Sequence, residues 1–122
     1  MTTITQTKNT VDKATVNKTT LDEITAEQFN EVIEQHSGKV LIDFYAPWCA
    51  PCKMIAPVVK QIAEENEQLK VVKINADHSQ ELMAKLSIRG LPTLLLMNDG
   101  KVLGTQVGAA SVAQVTSFIN AH

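Results

Sequence analysis

Hydrophobic and polar positions along this chain change period repeatedly, and each change marks an expected element. Residues 1 to 14 show no apolar period and read as a flexible polar leader ahead of a domain over 15–122. Val16 to Leu21 is expected to form a short edge strand. Thr25-Ala26-Glu27-Gln28 has the form of a capping box, with Ile24 and Phe29 placed to make a hydrophobic staple. The helix it opens should turn Phe29, Val32 and Ile33 inward and stop before Gly38. Val40 to Tyr45 is apolar on both faces except at Asp43, the pattern of a central strand covered on both sides.

Helical spacing resumes from Ala50 to about Glu67, with Ile55, Val58, Val59 and Ile62 as its buried stripe and Pro57 as a kink. Leu69 to Ile74 reads as a further strand, and Leu82, Met83 and Leu86 as a short helix. Thr93 to Met97 and Val102 to Val107 flank Asn98-Asp99-Gly100-Lys101, a hairpin signal. Ser111 caps a last helix that buries Val112, Val115 and Ile119. The order βαβαβα followed by ββα makes this an α/β chain. Crossover connections imply parallel early strands, and the short turn implies an antiparallel final pair.

Bulk properties narrow the function classes. At 122 residues the chain suits one domain that needs no staple. A net charge of -2 offers no attraction to nucleic acid or to an anionic membrane. No apolar run approaches the roughly 20 residues of a membrane span. The first residues, with Lys8, Lys13 and Lys18 against Asp12, lack the apolar core of a secretory signal, so a cytoplasmic location is expected. In that reducing setting a lone cysteine pair is catalytic or metal-binding more often than structural.

The only cysteines and the only tryptophan fall together, in Trp48-Cys49-Ala50-Pro51-Cys52, between a strand and a helix. That placement is a redox dithiol signal. Cys49 sits where free N–H groups and the helix dipole favour a thiolate, while Pro51 suits a first turn. Cys52 should be more buried and less acidic. Cys49 would then attack a substrate disulfide, and Cys52 would resolve the mixed disulfide. An inert thiol pair, or half of a zinc or iron–sulfur site, is the alternative, although His36, His78 and His122 are poorly spaced to complete one. Asp43 is expected to be buried with a raised pKa, six residues before Cys49, and able to take the proton of Cys52. Lys73 is either its partner or a solvated strand residue. Gly90-Leu91-Pro92 precedes the fourth strand, its X-Pro bond open to either isomer.

These residues resemble the thioredoxin family. The likeness runs from about Thr19 to Ala121 and rests on Asp-Phe-Tyr-Ala-Pro-Trp-Cys-Ala-Pro-Cys-Lys at 43–53, Ile-Ala-Pro at 55–57, Lys73, Asp77, Arg-Gly-Leu-Pro-Thr at 89–93, Gly100 and Gly108. It implies a five-stranded mixed sheet flanked by four helices, and a protein-disulfide oxidoreductase cycling a Cys49–Cys52 disulfide. Cys49 would be the exposed nucleophile and Cys52 the resolving thiol. Asp43 and Lys73 would assist, and Pro92 would be cis. Trp48, Ala50, Pro51, Gly90, Leu91, Pro92 and Gly108 would form the docking surface. The resemblance further implies a monomer without metal or bound cofactor. It would receive NADPH electrons through a flavin-containing thioredoxin reductase and pass them to disulfide-bearing proteins. Ala50 replaces the family's usual glycine, Tyr45 a usual tryptophan and Met97 a usual phenylalanine. Two other readings stand beside this one: a binding module whose cysteines are dispensable, and an oxidant or isomerase outside the cytosol, against which Pro51 argues.

Overall fold

The computed structural model describes residues 21–122. The expected leader lies outside the described residues, as does the strand expected over 16–21 apart from Leu21. Among the described residues a strand forms at this edge over Leu21–Ile24 (β1). Its partners are Lys39–Tyr45 (β2), Lys70–Asn75 (β3), Thr93–Asn98 (β4) and Lys101–Val107 (β5). The sheet order is β1-β3-β2-β4-β5, so the doubly apolar β2 lies at the centre as its sequence required. β3 pairs parallel with both β1 and β2, whereas β4 runs antiparallel to β2 and β5.

Strand alternation divides the core between two layers. Val40, Ile42 and Phe44 point to one face with Phe29, Ile33, Val72, Ile74, Leu95 and Met97. Leu41 points to the other, with Val71, Leu94 and Leu96, beneath two helices. Those are Ala50–Glu65 (α1), contributing Ile55, Val59 and Ile62, and Val112–Asn120 (α3), contributing Val115 and Ile119. Gln80–Lys85 (α2) lays Leu82 and Met83 against the first layer.

The opening helix takes an unexpected form. The Thr25–Gln28 capping box is present, but it starts a 3-10 turn, Ala26–Gln28, followed by a π-helical turn, Asn30–Glu34. Gln35 N–H donates to Asn30 C=O five residues back at 3.1 Å. Phe, Asn, Val and Ile have little helix preference, so burial of Phe29 and Ile33 sets the winding. The hairpin does as its sequence demands. Asp99 and Gly100 have φ of 54° and 82°, the left-handed pair of a type I′ turn. A Cβ on Gly100 would lie 2.9 Å from Glu34 C=O oxygen, which excludes other residues there.

Candidate active site

β2, the first turn of α1 and the loop before β4 meet at the C-terminal edge of β2, where open α/β sheets collect their ligands. Cys49 is the N-cap of α1, with extended backbone, and its Sγ accepts a hydrogen bond from Cys52 N–H at 3.2 Å. Pro51, in the first turn, has no N–H to leave unpaired. Cys49 and Cys52 are joined as a disulfide with their Cα atoms 5.3 Å apart. The bonded pair packs with Ala46, Tyr45 and Leu91.

One expectation is corrected here. Cys52 is not the more buried residue, nor is Cys49 the exposed one: each is 4 % exposed. Both sulfurs lie in the same apolar cluster, with Ala46, Tyr45 and Leu91 packed around them. Direction still separates them. A depression of about 440 Å³ is lined by Cys49, Ala50, Pro51 and Leu91 but not by Cys52.

Asp43 is 1 % exposed, and its Oδ1 has no hydrogen-bond partner among the described residues. By strand parity it shares the face of Leu41 and Tyr45, under α1. Burial pushes its carboxyl up to about 6, against the opposing pull of Lys73, the adjacent residue on β3. Lys73 itself is half-buried. Its Nζ stands 4.4 Å from the centre of the Tyr45 ring, a cation–π contact. The Tyr45 hydroxyl donates to Glu23 Oε2 at 2.5 Å. Burial first, then Glu23, pushes that phenol up to about 12, so it remains a donor.

The Leu91–Pro92 bond is cis. Thr93 Oγ1 donates to Gly90 C=O at 2.6 Å and Gly108 N–H to Pro92 C=O at 2.8 Å, which fastens this loop to the end of β5. Gly108 has φ of 96°, a conformation that favours glycine. Trp48 is 70 % exposed, and its indole N–H donates to Asp77 Oδ1 at 2.9 Å.

Trp48, Cys49, Ala50, Pro51 and Leu91 thus line one depression, while Asp43 and Lys73 lie in register within β2 and β3. Some contributors were not assigned from sequence. Asp77 carries part of the resemblance but had no expected role, and the structure makes it the anchor of Trp48. Gln80, Met83 and Arg89 line the depression beside Cys49. Val107 is 64 % exposed and lies 3.2 Å from where a Cβ on Gly90 would stand. The one available signal for Val107 is an apolar residue ending an edge strand next to Gly108.

Comparison with known proteins agrees with this arrangement. The family model described as Thioredoxin matches residues 20–121. The thioredoxin of Haemophilus influenzae is 45% identical over 100 residues, covering 81% of this chain and 94% of that protein. The thioredoxin of Pseudomonas aeruginosa is 43% identical over 100 residues, covering 81% and 93%. That of Bacillus subtilis is 44% identical over 90 residues, covering 73% and 86%.

Proposed function

The chain belongs to the thioredoxin family, as a thiol–disulfide oxidoreductase acting on protein disulfides, and from that premise we propose how its residues divide the work. Cys49 is the nucleophile. Its thiolate attacks one sulfur of a substrate disulfide, forms a mixed disulfide and expels the other substrate sulfur as a thiolate, which takes up a proton. The helix N-terminus favours the charged sulfur. Asp43, ionised, then accepts the proton of Cys52 directly or through a water. The Cys52 thiolate attacks Cys49 Sγ and the second substrate sulfur leaves. Two electrons have passed to the substrate, and the protein is left with the bonded Cys49–Cys52 pair present in this structure.

The carrying observation is that pair at a helix N-terminus, with Cys49 turned toward the surface depression and behind it a buried carboxyl whose Oδ1 has no hydrogen-bond partner among the described residues. Lys73 moderates the acid. Trp48, Ala50, Pro51, Gly90, Leu91, Pro92 and Gly108 receive the substrate. Neither N–H nor C=O of Leu91 has a backbone partner among the described residues, which suits strand addition by an extended segment. The working unit is the domain over 15–122, a monomer in the cytoplasm with no bound cofactor. Electrons return from NADPH through a flavin-containing thioredoxin reductase. Among the described residues no helix is long and apolar enough to cross a membrane.

The test is reduction of insulin disulfides by dithiothreitol, with and without the protein. Acceleration is expected, and its absence overturns the reading. Cys52→Ser should accumulate mixed disulfides; normal turnover by that variant would reverse the two roles. NADPH oxidation in the presence of a reductase checks the electron source.

A further inference from the structure

Three strands place Glu23, Lys73 and Asp43 in one row. Glu23 faces Lys73 across the β1–β3 pair, and Asp43 faces Lys73 across the β2–β3 pair, both in parallel register. Parallel partners in register share a face, and adjacent strands stand about 4.8 Å apart on either side. The ammonium of Lys73 thus lies between two carboxylates at comparable reach. By spacing alone the exposed Glu23 should win it, because its charge remains solvated while Asp43 is buried. Yet among the described residues no carboxylate oxygen is within ion-pair distance of Lys73, and its Nζ rests on the Tyr45 ring. The same tyrosine holds Glu23 through its hydroxyl.

We propose that Tyr45 and Glu23 are a positioning pair: Tyr45 occupies the Glu23 carboxylate and seats the Lys73 ammonium on its ring, which reserves the Lys73 charge for Asp43. Neither residue touches the reacting sulfurs. They set the pH at which Asp43 exchanges its proton, and so the pH range in which Cys52 can be deprotonated. The proposal rests on Asp43 being the proton acceptor for Cys52.

The surroundings of Asp43 leave few other groups to set that pH. On its β4 side the residue in register is Leu94. α1 contributes Ile55 and Val59 to that layer, together with Cys49 and Cys52, which do not titrate while bonded; α3 contributes Val115 and Ile119. Lys73 from β3 is the charged neighbour, with Glu23 of β1 and Tyr45 of β2 beyond it. Tyr45 stands where the family usually has a tryptophan. An indole offers a cation a comparable face but has no hydroxyl, so the Glu23 contact belongs to this chain's own residues.

The experiment follows the 13Cγ resonance of Asp43 against pH in the oxidised full-length protein, which needs no turnover. Tyr45→Phe keeps the ring and frees Glu23 to draw Lys73 away. The Asp43 midpoint should rise by roughly half a pH unit, as expected for a weakened partly screened charge pair. Glu23→Gln alone removes the competitor, so the midpoint should stay or fall. In the Tyr45→Phe/Glu23→Gln double variant the rise should vanish. An unchanged midpoint in Tyr45→Phe, or a rise that persists without the Glu23 charge, overturns the proposal. Failure of the underlying proton-transfer reading would look different: the midpoint would move as stated while the pH profile of insulin reduction did not follow it.

Discussion

At Ser111 and at Cys49 a helix begins in the same way. Ser111 Oγ accepts from Gln114 N–H at 3.1 Å, and Cys49 Sγ accepts from Cys52 N–H at 3.2 Å. Both N-caps are extended, and in both the second functional side chain lies three residues on. At Ser111 that side chain reaches back, Gln114 Oε1 accepting from Ser111 N–H at 2.8 Å. At Cys49 it bonds covalently to the cap itself. Ser111 is exposed, whereas Cys49 is buried against Ala46 and Leu91 with the buried acid Asp43 six residues before it. One spacing therefore serves as a helix start in one place and as a redox centre in the other. The difference lies in the atom used as the cap and in what surrounds it.

The sharpest break in that comparison is to turn the second start into the first. Cys49→Ser restores an oxygen cap, so helix α1 should persist by circular dichroism while insulin reduction disappears. Its stability should match that of the reduced wild type. Against the oxidised form it should lose roughly 2 kcal/mol, the closure entropy of so short a loop. Residual turnover above background would mean that Cys49 is not the nucleophile.

Next in size is the buried acid, which has no counterpart at Ser111. Asp43→Asn should slow turnover by about a hundredfold, the lower reach of general acid–base effects, and flatten the pH profile near 6. It should also change how stability depends on pH. Asp43 lies at about 6 in the folded protein, above its ordinary 3.8, so folding favours its protonated form. That contribution is complete below the unfolded value and is lost as pH rises through the folded one. The stability of the oxidised wild type, measured by denaturant unfolding, should therefore fall by about 2 kcal/mol between pH 4 and pH 7 on account of this group. Asp43→Asn should lack that decline; an equal decline in the variant would place the effect elsewhere.

Ser111→Ala removes the structural cap. A loss of about 1 kcal/mol with unchanged insulin reduction is expected, measured by denaturant unfolding and turnover together. Smallest is Ala50→Gly, which restores the residue usual in the family. In the first turn of α1 it should cost less than about 1 kcal/mol, and turnover should remain. A larger loss in this variant than in Ser111→Ala would show that the redox helix start is the more tightly constrained of the two.

Much of this was legible in the chain because the signals are local. The Thr25 and Ser111 boxes, the I′ turn at Asp99-Gly100 and the Cys49 helix start each depend on residues within a few positions of one another. The doubly apolar run of β2 marked Asp43 as a buried acid, while the face it lies on came from the register of the sheet. Less local matters were misjudged or missed. The first helix is wound as 3-10 and π turns because Phe29 and Ile33 answer to the core. The equal burial of Cys49 and Cys52 depends on Ala46, Tyr45 and Leu91 packing around both.

By itself the sequence determined the order of elements, the central strand, the dithiol at a helix N-terminus and the buried acid, since periodicity and capping act over one or two turns. Tertiary structure alone decided which groups from distant segments meet. Asp77 holds Trp48 from 29 residues away, Glu23 holds Tyr45 from 22, and Lys73 reaches the Tyr45 ring from the neighbouring strand. Such contacts depend on strand order and register, which no local pattern encodes.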